Sequence, residues 1–264
     1  MAHISRLLII PNIALTDTEH AKLGLMAFVP FSSAILTPDC FYKDLGKNHL
    51  KFKSYFELSY LSSKYYRANF NIKKNLGFNI YDKYVLLRFI SWGASHDIGQ
   101  TGILDELKII IVRLFVERGY KVVISSEGEL SNILEGYRLK LSPSKIHDVI
   151  QEADFFIGES GTMATEAAIL GTPSIFVNSL DAGVFQDLVK YGLLYSFRTS
   201  KKIIPEIEKL LNIKNLKLLH LKRKQKLIES KIDTTEFLIW FLENYPNSKK
   251  IMIENPHYQT IFNL

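Results

Sequence analysis

Residues 153–177, ADFFIGESGTMATEAAILGTPSIFV, carry the pattern that most constrains what this chain can fold into. A short apolar run from Phe155 to Ile157 meets a turn at Gly158 to Gly161. Helix-forming residues follow from Thr162 to Leu170, then a Gly171 stop and a second apolar run, Ser174 to Val177. The spacing predicts a β-α-β unit. A helix that opens at the carboxyl end of a strand presents unpaired N–H groups and the positive end of its dipole, which stabilises phosphate or carboxylate. Ser160, Gly161 and Thr162 occupy that opening, and Glu166 lies four residues beyond Thr162 on the same helix face. A ribose diol would fit there. A plain N-cap at Ser160 or Thr162, with Glu166 near the favourable end of the dipole, accounts for the same residues.

The surrounding chain repeats the alternation. YVLLRFIS, from Tyr84, is a continuous apolar run of the kind buried on both faces of a parallel sheet. A helix is predicted from Leu104 to Arg118, a strand from Lys121 to Ser125, a helix near Glu129 to Leu134, a strand from Arg138 to Leu141 and a helix from Ser144 to Glu152. Alternation of this type predicts a doubly wound parallel sheet. Towards the amino terminus the expected order is a strand at Leu7 to Ile10, a helix from Ala21 to Phe28, a strand from Ser33 to Thr37 and a loop-rich aromatic stretch, 39–73.

Composition narrows the function. One cysteine, Cys40, excludes an intramolecular disulfide and a Cys-rich metal site, which makes cytoplasm the expected compartment. No apolar run reaches the roughly 18 residues that span a bilayer. A net charge of +6 favours anionic partners, yet no nucleic-acid-binding signature is present. Lys214 to Ser230 reads as a basic helix, either a solvated face or a surface for peripheral contact with an anionic membrane.

GESGTMATEAAILGTPSI resembles the nucleotide-binding segment of GT-B glycosyltransferases and of the non-hydrolysing UDP-N-acetylglucosamine 2-epimerases, whose pattern is acid-Ser-Gly-Gly, three residues, then Glu-Ala. It resembles more closely an uncharacterised prokaryotic family of GT-B-like proteins known only as a domain of unknown function. The resemblance implies that Ser160, Gly161 and Thr162 hold a diphosphate and that Glu166 holds ribose, with Thr162 replacing the second glycine. It extends from the DTEHA segment through Ser179.

Other strand ends supply candidates. His96 and Asp97 follow the first strand of the second domain, where the epimerases carry a His-Arg motif. Here they are either a general base with its acid or a loop pair bonded to backbone. Ser126 and Glu127 end the next strand on the nucleotide side. Asp17 and His20, in DTEHA, stand at a strand-to-helix junction as catalytic candidates or as cap and solvated side chain. His147 is expected on a solvated helix face, and Asp181 and Gly183 either where the resemblance implies contact with the sugar or in a polar loop that caps the helix at Val184.

The expected organisation is GT-B-like α/β, with a partial N-terminal α/β domain (1–81), a Rossmann-like nucleotide-binding domain (82–230) and a C-terminal helix and tail (231–264). Only about 80 residues precede the second domain, fewer than the roughly 100 of a usual domain, so the first is expected to be incomplete. The leading expectation is a nucleotide-sugar-binding protein of glycosyltransferase or 2-epimerase type, in surface polysaccharide or glycoconjugate biosynthesis, with no metal or other cofactor. The alternative is a non-catalytic nucleotide-binding subunit or truncated remnant.

Overall fold

The computed structural model describes residues 1–69, 71–91 and 102–264. Its strands are β1 (Ile13–Leu15), β2 (Ala34–Pro38), β3 (His49–Phe52), β4 (Tyr84–Phe89), β5 (Lys121–Ser126), β6 (Phe155–Gly158), β7 (Ser174–Val177) and β8 (Leu194–Phe197). Its α-helices are α1 (Ala2–Leu7), α2 (Lys22–Phe28), α3 (Leu58–Leu61), α4 (Ile72–Asn75), α5 (Asp105–Glu117), α6 (Asn132–Glu135), α7 (Ile146–Glu152), α8 (Gly161–Leu170), α9 (Gly183–Lys190), α10 (Ile203–Leu211), α11 (Leu216–Glu229), α12 (Thr234–Glu243) and α13 (Asn247–Glu254). They fall into two units, Met1–Tyr65 with Asp181–Asp187 and Leu227–Leu264, and Tyr66–Leu180 with Leu188–Lys226.

The second unit is built on a parallel sheet in the order β5-β4-β6-β7-β8. Tyr84, Val85, Leu86 and Leu87 of β4 and all of β6 and β7 are buried, as continuous apolar runs between two layers require. Residues of one parity, Val85, Leu87, Phe89, Ile157, Ile175 and Val177, pack with Ile111 and Phe115 of α5 and Ile203 and Ile207 of α10. The other face carries α7 and α8: the Tyr84 hydroxyl donates to the Val149 carbonyl at 2.5 Å, and the Ser174 hydroxyl to that of Ala164 at 3.0 Å. Ala164, Ala167 and Ala168 are fully buried, small enough for α8 to lie close on the sheet. At Gly158 a Cβ would stand 2.8 Å from that of Arg88 on β4 and 2.9 Å from the Phe156 ring, so the glycine serves close packing.

The basic stretch forms α11, and much of its charge turns inward. The Lys217 ammonium donates to the carbonyls of Gln151 and Ala153, each at 2.5 Å, and to the Thr172 hydroxyl at 2.9 Å. Arg223 donates to the Gly192 carbonyl at 2.7 Å. Lys222 and Lys226 remain exposed. Among the described residues no helix is long and apolar enough to cross a membrane.

Two expected strands differ. Arg138–Leu141 contributes only an isolated parallel bridge between Ile124 and Arg138, because the Ser142-Pro143 turn follows at once. Leu7 to Ile10 is not a strand. α1 runs through Leu7, Ile9 takes a positive φ of 59°, and Pro11 has no N–H to give a ladder. The strand moves to β1, where Ile13 pairs with Ala34.

The first unit holds the parallel sheet β1-β2-β3. Its core joins Ala34, Leu36, Leu50 and Phe52 with Ile232, Phe237, Phe241 and Met252, so α12 and α13 close over the sheet of the amino-terminal segment. Phe237 stacks on Phe52 with ring centroids 5.8 Å apart.

Candidate functional site

In the larger sheet, connections leave β4 in opposite directions: β5 lies on one side and β6 on the other. The crevice beyond the carboxyl ends of β4 and β6 is therefore the topological switch point, where open α/β sheets bind ligands. Ser160, Gly161 and Thr162 open α8 there. Ser160 is the N-cap, its backbone extended and its hydroxyl accepting from the Met163 N–H at 3.4 Å. The cap leaves the Gly161 and Thr162 N–H groups at the helix opening, with Thr162 exposed. At the other end Gly171 takes a left-handed conformation, φ 83°, and stops the helix as its position foretells.

Glu166 lies in the second turn of α8, not the first, and the dipole does not account for it. Its carboxylate is 9% exposed and 3.0 Å from Nε2 of His147 on α7. This corrects the solvated position expected of His147. The imidazole is half-buried, with the Tyr66 ring edge-on at 6.2 Å. The Tyr66 hydroxyl and the Asn69 N–H both donate to Asp148, at 2.7 and 3.1 Å, which holds the incoming chain against α7. The bond to Glu166 raises the His147 pKa above its ordinary value, and burial opposes it.

Glu159, fully buried between β6 and α8, accepts from the N–H groups of Ile90 at 3.0 Å and Ile103 at 2.7 Å. One carboxylate thereby holds both ends of the segment that follows β4. His96 and Asp97 fall in that segment, outside the described residues. Ser126 donates its hydroxyl to the Gly128 carbonyl at 3.1 Å, and Glu127 forms an ion pair with Arg88 and accepts from the Ser91 N–H at 3.2 Å. Both are thus engaged locally at the end of β5.

Asp17 and His20 belong to the other unit. Asp17 accepts from the Thr18 hydroxyl at 2.9 Å, and α2 starts only at Lys22 with Ala21 as its N-cap, so neither Asp17 nor Thr18 caps it. Between them and the helix sits Glu19, fully buried, accepting from the N–H groups of Gly183 (2.9 Å) and Tyr42 (3.3 Å). Burial pushes its carboxyl above the ordinary range, and the two backbone bonds act in the opposite sense. Gly183 is required here because a Cβ would lie 2.0 Å from the Cys40 carbonyl oxygen. Asp39, Cys40 and Asp187 gather their ligand atoms within 4.8 Å of one another, and the Lys231 ammonium supplies the cation, 3.3 Å from Asp39 and 3.1 Å from Asp187.

The family model for DUF354, a protein family of unknown function, matches residues 2–245. The chain belongs to the DUF354 family. A curated relative, uncharacterized protein MJ0665 of Methanocaldococcus jannaschii, is 25% identical over 211 residues, covering 75% of this chain and 61% of the relative. The DUF354 chain thus spans about three fifths of that protein's length. Among solved structures, the S. aureus MnaA–UDP complex superposes with a TM-score of 0.65 at 11% identity, covering 94% of this chain and 72% of that one. The M. jannaschii UDP-GlcNAc 2-epimerase in complex with UDP-GlcNAc and UDP gives 0.53 at 15% identity, covering 81% and 66%. Glycosyltransferases are also among the neighbours. The fold is GT-B-like α/β.

In this DUF354 chain the sequence singles out the helix opening and Glu166 as candidates but not three residues that the fold brings near them. His147 stands 19 positions before Glu166, with no periodic signal linking the two helices. Glu159 is visible only as the acid preceding the cap. Arg88 lies inside an apolar strand, yet it donates to the Ser125 hydroxyl at 2.9 Å and pairs with Glu127 at the crevice.

Proposed function

We propose that this protein binds a nucleoside diphosphate sugar at the switch point of its larger unit, the diphosphate on the α8 opening and the ribose diol on Glu166. The supporting observation is the pairing of a capped helix opening with a nearly buried carboxylate on the same helix, 3.0 Å from Nε2 of His147. An ionised carboxylate accepts hydrogen bonds on both oxygens, which suits it to the two hydroxyls of a diol. The chemistry this suits is glycosyl transfer or sugar epimerisation, in polysaccharide or glycoconjugate synthesis. His96 and Asp97 are the proposed groups on the sugar side, with Ser126 and Glu127 bordering the nucleotide, and Asp17 and His20 are the proposed catalytic groups of the smaller unit.

Calorimetric titration with uridine, guanosine, cytidine and thymidine diphosphate sugars tests the reading. Charge-assisted bonds to a diol are worth about 1.5–3 kcal/mol each, so Glu166→Ala should weaken the preferred ligand roughly tenfold to a few hundredfold. The parent should also discriminate against 2′-deoxy and 3′-deoxy ligands, and the variant should not. An unchanged Kd in a folded Glu166→Ala protein refutes the ribose assignment.

A further inference from the structure

Glu166 and His147 meet on neighbouring helices of one unit, and their pairing has a consequence for any anionic ligand on α8. Among the groups facing His147 are the Glu166 carboxylate from α8, Asp148 on its own helix and the ring of Tyr66, whose hydroxyl is engaged by Asp148. Lys145, two residues earlier, is exposed. We propose that His147 is a positioning residue of the ribose subsite and makes nucleotide-sugar binding proton-linked: its ring orients Glu166, and a diphosphate at the α8 opening stabilises its imidazolium form. The inference rests on the nucleotide reading of this site.

In its Nε2–H tautomer the neutral ring donates to Glu166 as the imidazolium does, and in that form the carboxylate stays oriented at high pH. What changes with pH is the charge. An imidazolium on α7, which packs beside α8, is favoured by two phosphate charges at the α8 opening, and by reciprocity those phosphates bind more tightly to the protonated protein. Affinity is highest below the pKa of His147 in the free protein and falls as pH rises through its higher value in the complex. At surface-like screening the expected change is about three- to tenfold.

The probe is UDP-GlcNAc, whose diphosphate is esterified at both ends and does not titrate in the range used. Its Kd is measured from about pH 5.5 to about 8.5 for the wild type and for His147→Gln, which keeps an N–H donor and loses the titration. The imidazole titration is followed by NMR in the free protein and in Glu166→Gln. The expected result is a three- to tenfold loss of affinity with rising pH in the wild type, with proton uptake on binding. His147→Gln should give a flat profile whatever its absolute affinity, and Glu166→Gln a downward shift of the His147 titration. His147→Asn repeats the profile if the Gln variant does not fold. A flat wild-type profile, or the same slope in the variants, overturns the proton linkage and leaves nucleotide binding standing. Absence of binding at every pH in folded protein overturns both.

Discussion

At Glu159 two backbone donors on either side of residues 91–102 converge on one buried carboxylate, from Ile90 and Ile103. Alanine there would leave both N–H groups without their acceptor, at about 1–3 kcal/mol each. Glu159→Ala should therefore destabilise the protein by roughly 2–6 kcal/mol, and Glu159→Gln, which keeps one acceptor oxygen, by about half as much. Amide exchange checks the cause: Ile90 and Ile103 should lose protection more than amides elsewhere in β4 and α5. Uniform loss across the unit would assign the effect to general unfolding. Glu159 and Glu166 are both buried acids near one helix opening, and their partners separate their roles, backbone for the first and an imidazole for the second.

Helix α11 illustrates what an element's charge is used for. Its sequence is among the most basic in the chain, and a solvated or membrane-facing surface is the natural reading of such a run. Packing redirects it, because the carboxyl end of α7 presents carbonyls that need donors, and Lys217 supplies them at Gln151 and Ala153. Gly171 records the same close approach, since a Cβ there would meet Leu221 at 2.9 Å. Lys217→Met should cost about 2–4 kcal/mol by urea unfolding, as buried carbonyls and the Thr172 hydroxyl lose a charged donor. Lys222→Gln, on the exposed side of the same helix, should stay within about 0.5 kcal/mol. Equal costs for the two would show that the inward bonds contribute little.

At the scale of the whole molecule, the sheet of the first unit depends on residues nearly two hundred positions later. Phe237, fully buried, stacks on Phe52 of β3, and Ile232, Phe241 and Met252 fill the rest of that core. Phe237→Ala should cost about 3–5 kcal/mol. It should also expose the amides of β2 and β3 to exchange while those of β4, β6 and β7 keep their protection. Protection of β2 and β3 unchanged in that variant would mean the sheet holds without the carboxyl-terminal helices.

What the sequence determined by itself is local. Ser174 to Val177 as a strand, a cap at Ser160 or Thr162, Gly171 as a stop and the buried apolar run that opens at Tyr84 all follow from backbone stereochemistry and side-chain pattern within a few residues. The GT-B-like resemblance of residues 158–175 rests on that same continuous stretch. Tertiary structure alone decided the pairings between distant positions. It set the strand order that creates the switch point and the return of α12 and α13 to the first sheet. It also placed β1 beyond Pro11, turned Lys217 inward and seated Glu166 on His147. Periodicity tells which face of an element is apolar, but the partner that a buried charge or a sheet edge finds is chosen by the packing of whole elements. Leaving a buried polar group without a partner costs as much free energy as most local preferences supply.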